Sequence, residues 1–295
     1  MAAIDLALPT PRRVRNESFA ARTLRRLARH RGALIGASLV LVIALAAVLA
    51  PVIAPFDPAD MGVGPSLVGP SREHPMGTDT FGRDIFSRVL HGARLSLGVG
   101  LLAVAISAGL GILIGLLAGY YGGLLDDILM RLVDVLLAFP GILLALAIVS
   151  VLGISLTNLM IAVGIGGVPS FARLIRGSTL TVKEYLYVTV ARSIGARDAA
   201  IIARHILPNV ISPIIVYATL RIAFAIIATS SLSYLGLGAK PPTPEWGVML
   251  SDGREFLRVA PWVTTFPGLA IMVSVMGVNL LGDGLRDVLD PRLRV

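Results

Sequence analysis

The chain has 295 residues, of which 55% are hydrophobic and 15% are charged, and it contains no cysteine. Its mean hydropathy of +0.82 is far above that of soluble globular domains and predicts an integral membrane protein. The lack of cysteine excludes disulfides, thiolate metal ligands and cysteine nucleophiles. The net charge of +8 does not indicate a nucleic-acid-binding protein, because the positive residues flank apolar segments rather than forming a basic soluble face.

Six charge-poor apolar segments are long enough to cross a bilayer core of about 30 Å as helices. Their continuous apolarity, without alternation, favours helices over the strands of a barrel. The predicted fold class is therefore all-α, a polytopic membrane helix bundle with six transmembrane helices. The predicted spans are residues 32–56, 95–121, 133–152, 158–171, 210–235 and 259–281.

The distribution of Lys and Arg predicts the orientation of these spans. With the N-terminus inside, 18 of these residues lie on the inner side and 7 on the outer side. Positive flanks are retained in the cytoplasm, so we predict that both termini are cytoplasmic. The chain divides into a first part, 1–92, with a basic tail, one span and an external segment, a core at 93–284 and a tail at 285–295. The first span and the tail before it are too long for a cleaved signal peptide.

One face of the second predicted span carries only small residues at a spacing of four. Such a face lets another helix approach closely within lipid. The partner helix belongs either to this chain, which we favour, or to another subunit. The small residues are Ala103, Ser107, Gly111, Gly115, Gly119 and Gly123.

Two charged residues lie in or near the apolar segments, where charges are costly and therefore candidates for function. Asp134 follows Arg131 by three residues, so we predict a local ion pair. Arg221 lies about three turns inside the fifth span. Its side chain either reaches for the membrane surface or faces a wet cavity or an acidic partner. If Arg221 faces a wet cavity, it lines the transport pathway and could meet a substrate carboxylate.

The external part of the first region holds four residues that could bind a metal ion. Apolar residues at helical spacing, from Ile85 to Leu90, offer another explanation: an amphipathic helix at the membrane surface, which we favour. No metal site is therefore predicted. The four potential metal ligands are His74, Asp79, Asp84 and His91.

Because Lys183 and Lys240 are the only lysines, the chain also lacks a phosphate-binding P-loop motif.

The basic inner loop, 172–208, has the pattern of two short helices. KEYLYVTVARSI is long enough for about three helical turns, and Gly195 is suited to end them in a left-handed conformation. Asp198 is predicted to cap a second helix, and Pro208 to end it. Such a compact protrusion has the shape needed to fit a cleft on another protein.

The second long connection of the core, Leu235–Trp262, is external and rich in proline. Its prolines stiffen the chain, and its tryptophans suit a membrane interface. The loop is either a structural gate at the outer mouth or a contact for substrate or a binding protein. The candidate gate residues are Pro241, Pro242 and Trp246.

The inner loop resembles the E-A-A-x-x-x-G-x(9)-I-x-L-P signature of ABC importer permeases, which docks into an ATP-hydrolysing subunit. Thr189, Val190 and His205 depart from the signature's acidic residue, first alanine and isoleucine. Because threonine is neutral, we expect the docking contact to depend more on packing around Ala191 and Gly195 than on charge. The docking residues implied by the resemblance are Thr189, Val190, Ala191, Arg192, Gly195, His205, Leu207 and Pro208.

The segments HPMGTDTFGRDIFSRVLHGARLSL, LSYLGLGAKPPTPEWG and LGDGLRDVLDPRLR are similar to the C-type permease subunit of dipeptide and oligopeptide ABC importers. This resemblance implies a type I ABC importer permease fold in the bacterial cytoplasmic (inner) membrane. It also implies a homologous second permease, one or two cytoplasmic ABC ATPases and an extracytoplasmic binding protein as partners. The chain would then be no enzyme and bind no cofactor, since ATP and Mg²⁺ bind the ATPases.

The resemblance leaves the substrate open among dipeptides, longer peptides, nickel complexes and glutathione. Two other classes of function fit the residues less well. A secondary transporter needs coupling-ion sites and usually an internal repeat, and neither is found. A membrane-bound enzyme needs a convergent polar site within the spans.

Overall fold

The structure is a computed structural model that describes residues 25–289. The regular structure in this range is helical, apart from one isolated bridge between Thr78 and Asp84, which confirms the predicted all-α class. The basic tail before residue 25 and residues 290–295 lie outside the described residues. The helices are α1 (Arg31–Ile53), α2 (Ile85–Tyr121), α3 (Gly123–Leu137), α4 (Gly141–Leu152), α5 (Leu156–Lys183), α6 (Leu186–Ser193), α7 (Asp198–Ile201), α8 (Leu207–Tyr234), α9 (Trp246–Gly253) and α10 (Trp262–Leu289).

Five helical stretches are long and apolar enough to cross a membrane: α1, α2, α5, α10 and the continuous run from α7 through α8. The pair α3 and α4 passes the same test, but its two helices meet at an angle of 91°. The predicted third span, 133–152, is therefore wrong as a single helix. Pro140 explains the break, because it lacks an N–H group and restricts Phe139 before it. Counting the bent pair as one span gives the six predicted.

Two spans are longer than predicted because their polar residues find partners within the protein. Helix α2 begins at Ile85 rather than near residue 95, and α5 continues to Lys183. The predicted amphipathic helix at the membrane surface is wrong. Ile85 is fully buried, and Val89 is buried beside it in a core that also contains Trp246.

The small-residue face of α2 packs against α5 of the same chain. A Cβ atom at Gly111, Gly115 or Gly119 would lie less than 3 Å from atoms of α5. Ser107 donates a 2.7 Å hydrogen bond to the carbonyl of Gly164. The favoured interpretation, packing within the chain, is confirmed for these positions. At Gly123, by contrast, a Cβ would meet open space.

The segment between α1 and α2, which the sequence predicts to be external, is built from turns held by buried polar contacts. Asp84 caps α2 by accepting a 2.7 Å hydrogen bond from the Ser87 amide, and its other oxygen lies 2.9 Å from Nδ1 of His74. Asp79 pairs with Arg83. These potential metal ligands therefore serve one another and the backbone, and residues 25–289 contain no group of three or more metal-binding side chains.

Trp246, which starts α9, lies inside the protein rather than at the predicted membrane interface. Only 1% of it is exposed, and its indole Nε1 donates a 3.0 Å hydrogen bond to the carbonyl of Val89. Gly92 makes room for it, because a Cβ there would lie 2.8 Å from the indole ring. The close approach of α2 thus buries the start of α9.

Candidate docking and translocation sites

The segment between α5 and α8, residues 184–206, is the candidate docking segment. It is shorter than the predicted loop, 172–208, because the two spanning helices extend into it. Gly195 has φ +82° and ends α6 as predicted. Its amide donates to the Arg192 carbonyl and the Ala196 amide to the Ala191 carbonyl, the hydrogen bonds of a Schellman motif. The left-handed conformation, and not a lack of space, requires glycine here.

The second half of the docking segment differs from the prediction. Asp198 is the first residue of α7 and does not cap it; its carboxylate accepts a 2.6 Å hydrogen bond from the hydroxyl of Tyr120. Pro208 does not end the helix either. A π turn, Ile202–Ile206, joins α7 to α8, with the Leu207 amide bonded to the carbonyl of Ile202 five residues earlier. Pro208 has no N–H group to donate to a regular helical turn, and the wider π turn lies directly before it.

The inner side of the docking segment belongs to the core. Val188, Ala191 and Ile201 are buried against Leu116 of α2 and Ile175 of α5. The Ala191 side chain thus packs within the chain, and a docking contact around it stays a prediction. Its place explains why a small residue is required at this position.

The outward side of α6 is apolar. Leu186, Val190 and Ile194, spaced by four residues, are 77%, 50% and 79% exposed. Thr189, Arg192, Gly195 and Pro208 are also exposed, whereas His205 and Leu207 are half-buried. Sequence reasoning missed Leu186 and Ile194, although their helical spacing with Val190 was a usable signal. An exposed apolar row on a helix outside the spans is typical of a protein contact surface.

Two ion pairs join α3 to α5. Arg176 donates from Nε and Nη2 to the two carboxylate oxygens of Asp126, both at 2.6 Å. Asp134 pairs with Arg173 at 2.6 Å. The predicted partner of Asp134, Arg131, is therefore wrong, because the packing of α3 against α5 brings a better-placed arginine to the carboxylate.

Arg221 faces a cavity of about 150 Å³ between α4, α5 and α8. Its guanidinium carbon lies 4.6 Å from the centroid of the Phe224 ring. Its Nε atom is buried without a hydrogen-bond partner. Among residues 25–289, no carboxylate lies within ion-pair distance of it. Of the predicted alternatives, the structure thus favours a cavity over an acidic partner within the chain. The lining residues are Gly141, Ile142, Ala145, Val163, Gly166, Arg221, Phe224, Ala228 and Leu232.

The candidate gate loop is anchored to α2. Nη1 of Arg88 donates hydrogen bonds to the carbonyls of Pro58 and Pro242, at 2.8 and 3.0 Å. Pro242 follows Pro241 through a cis peptide bond. Glu245 caps α9 by accepting a 3.0 Å hydrogen bond from the Val248 amide. Burial of this carboxyl group raises its pKa above the ordinary value for glutamate.

Comparisons with known proteins assign this arrangement to a family. The model of the binding-protein-dependent transport system inner membrane component matches residues 111–295. The chain belongs to this family of ABC importer permeases. A second model, the N-terminal transmembrane domain of oligopeptide transport permease C, matches residues 18–70 of the permease. As a member of this family, the permease is a multi-pass protein of the bacterial inner membrane.

Relatives and a solved structure agree with this assignment. The permease is 52% identical to the glutathione transport system permease protein GsiD of Escherichia coli O157:H7, over 92% of this chain and 89% of that protein. Its identity to GsiD of Pectobacterium atrosepticum is also 52%, over 77% and 75% of the two chains. A structure of the MetNI methionine ABC transporter matches with a TM-score of 0.55 and 17% identity, covering 68% of this chain and 96% of that one. This likeness shows the fold alone.

Proposed function

We propose that this permease is one of two homologous transmembrane subunits of an ATP-driven importer for short peptides, glutathione being the first ligand to test. Support comes from the match to an oligopeptide permease domain and from relatives named as glutathione permeases. Glutathione is itself a tripeptide, so the two sources agree on a substrate class. An extracytoplasmic binding protein delivers the ligand in this proposal.

The docking segment binds a cytoplasmic ATPase subunit. The observation that carries this step is the exposed row of Leu186, Val190 and Ile194 on a helix whose other side is fixed in the core. An apolar row of this kind is stabilised when a partner covers it. Its basic neighbours, Arg192 and Arg197, favour the cytoplasmic side, in agreement with cytoplasmic termini.

Transport is coupled to ATP through movement of this segment. ATP and Mg²⁺ bind the ATPases, and the permease contributes neither a catalytic group nor a bound cofactor. Closure of the ATPase pair displaces the docking segment, which is packed against α2 and α5, and so changes access to the pathway. Nucleotide must favour one conformation of the permease over the other for this coupling to occur. At the outer mouth, the loop with Pro241 and Pro242 acts as a gate.

A charge on the outward face of α6 tests the docking step. Val190→Asp places a carboxylate in the apolar row, where a covering partner would have to desolvate it. We expect the permease to reach the membrane but to lose co-purification with the ATPase and ATP-dependent uptake of glutathione. Met61→Asp is the matched control, because Met61 is 60% exposed in the external segment. Uptake that persists without the ATPase and ATP would contradict the proposed function.

A further inference from the structure

The contacts of residues 25–289 leave the charge of Arg221 unexplained. It lies within the membrane-spanning run of α8, where a charge without a partner is costly. Arg176 and Arg173 of α5 form ion pairs with Asp126 and Asp134, whereas Arg221 has no carboxylate partner among residues 25–289. The Phe224 ring covers one side of its guanidinium. A cation at such a position favours an anion that residues 25–289 do not supply.

A second feature of the same cavity favours an anion. Gly141 and Ile142, in the first turn of α4, form part of its lining. Pro140, the N-cap of this twelve-residue helix, provides no side-chain hydrogen bond to the first turn. The first amide groups of a helix have no partner within the helix, and the positive end of the helix dipole attracts negative charge. This helix end lies at the cavity because the chain breaks between α3 and α4.

The cavity also has room for a small group. A Cβ atom at Gly141 or Gly166 would meet no atom within 4 Å. At Gly167, in contrast, a Cβ would lie 2.9 Å from Nη2 of Arg221, so glycine lets the guanidinium pass close to α5. The rest of the lining is apolar, which strengthens any charge pair formed inside it.

We propose that this cavity binds a carboxylate of the transported peptide, with Arg221 as its charged partner. The planar guanidinium fits the two oxygens of a carboxylate, and the first turn of α4 adds backbone donors. The inference rests on the proposed function of peptide import. It makes Arg221 a residue that selects for ligands with a free carboxylate.

The test compares acid and amide ligands in the complete importer. The complex is reconstituted in liposomes with its binding protein, and ATP-dependent uptake is measured for glutathione and for its glycine-carboxamide analogue. The acid-to-amide ratio is determined for the wild type and for Arg221→Gln. Since the binding protein is the same in both, its own preference cancels when the two ratios are compared.

Arg221→Gln should lower the acid-to-amide ratio about tenfold or more, as expected for loss of one charge-assisted pair. Arg221→Lys should keep a ratio closer to that of the wild type. Arg131→Gln, an exposed arginine on α3, is the matched control and should leave the ratio unchanged. An equal ratio in wild type and Arg221→Gln overturns the inference, as does a loss of uptake for both ligands, which assigns Arg221 a structural role.

Filling the cavity provides a second measurement. Gly166→Leu occupies the space beside Arg221 and should reduce uptake of the acid ligand about tenfold, whereas Gly177→Leu, on the same helix with equally open space at its Cβ, should not. Equal effects of the two leucines would overturn the inference. Failure of the proposed function is distinguishable, because the wild-type complex would then show no ATP-dependent uptake of either ligand.

Discussion

The Tyr120 hydroxyl, in the last turn of α2, donates a 2.6 Å hydrogen bond to the carboxylate of Asp198 in the docking segment. The guanidinium carbon of Arg192 lies 5.5 Å from the centroid of the same tyrosine ring. The two halves of the docking segment, on either side of Gly195, therefore meet at one side chain of a spanning helix. This arrangement makes Tyr120 a direct link between the docking surface and the membrane core.

Tyr120→Phe removes this hydrogen bond while keeping the ring. A bond to a charged acceptor contributes about 1.5–3 kcal/mol, so we expect the segment to hold α2 less firmly. The amount of ligand imported per ATP hydrolysed should fall several-fold in reconstituted complexes, with membrane insertion unchanged. Tyr121→Phe is the control, because the neighbouring tyrosine is 52% exposed. An equal loss in both variants would remove the special role of Tyr120.

The sequence was a good guide to this fold wherever one physical effect dominates. Long apolar runs predict spanning helices because no other structure satisfies the backbone in lipid, and Gly195 predicts a turn because its conformation excludes other residues. The break at Pro140 was missed, although a proline within an apolar run was a usable signal. Its consequence, an angle of 91° between α3 and α4, depends on the surrounding helices.

The partners of polar residues could not be predicted, because they depend on which helices pack together. Asp134 has a basic residue three positions before it, yet pairs with Arg173 of α5. Asp198 begins a helix, yet its carboxylate binds Tyr120 in α2. A local ion pair worth a few tenths of a kcal/mol in the first case, and an N-cap worth about 1 kcal/mol in the second, are overridden by a contact distant in the sequence.

The close approach of α2 to the candidate gate loop predicts a sharp difference between two glycines of one helix. A Cβ at Gly92 would lie 2.3 Å from the carbonyl oxygen of Pro244, whereas a Cβ at Gly98 would meet no atom within 4 Å. Gly92→Ala should destabilise the permease by about 1–3 kcal/mol through overpacking. Gly98→Ala should stabilise it by about 0.5–1 kcal/mol, since alanine favours helices. Thermal unfolding in detergent measures both, and similar midpoints would contradict the packing.

The two ion pairs of α3 and α5 should differ in strength. Asp126 is buried and makes two hydrogen bonds to Arg176, whereas the side chains of Asp134 and Arg173 are 54% and 57% exposed. Asp126→Asn should therefore cost about 1.5–3 kcal/mol of stability. Asp134→Asn should cost less than about 1 kcal/mol. A double-mutant cycle with Arg176→Gln measures the coupling, and a coupling near zero would contradict the bidentate geometry.

The buried carboxyl group of Glu245 predicts how stability changes with pH. Its side chain is almost fully buried and accepts hydrogen bonds from the Val248 amide and from the Ser96 hydroxyl. Burial raises the pKa of Glu245, and the hydrogen bonds only partly oppose this. The folded state therefore holds a proton more tightly than the unfolded state does. Stability from this group is fully present below the unfolded pKa and is lost as the pH rises through the folded pKa.

Glu245→Gln removes this dependence, because glutamine keeps an acceptor for the Val248 amide and carries no charge to desolvate. Relative to the wild type, the variant should gain stability as the pH is raised from about 4 to 8. Unfolding midpoints of the purified complex across this range provide the measurement. Glu255→Gln, at an exposed position shortly after α9, is the control and should change far less with pH. A gain for Glu245→Gln that is the same at every pH would show that the folded state does not favour the protonated carboxyl group.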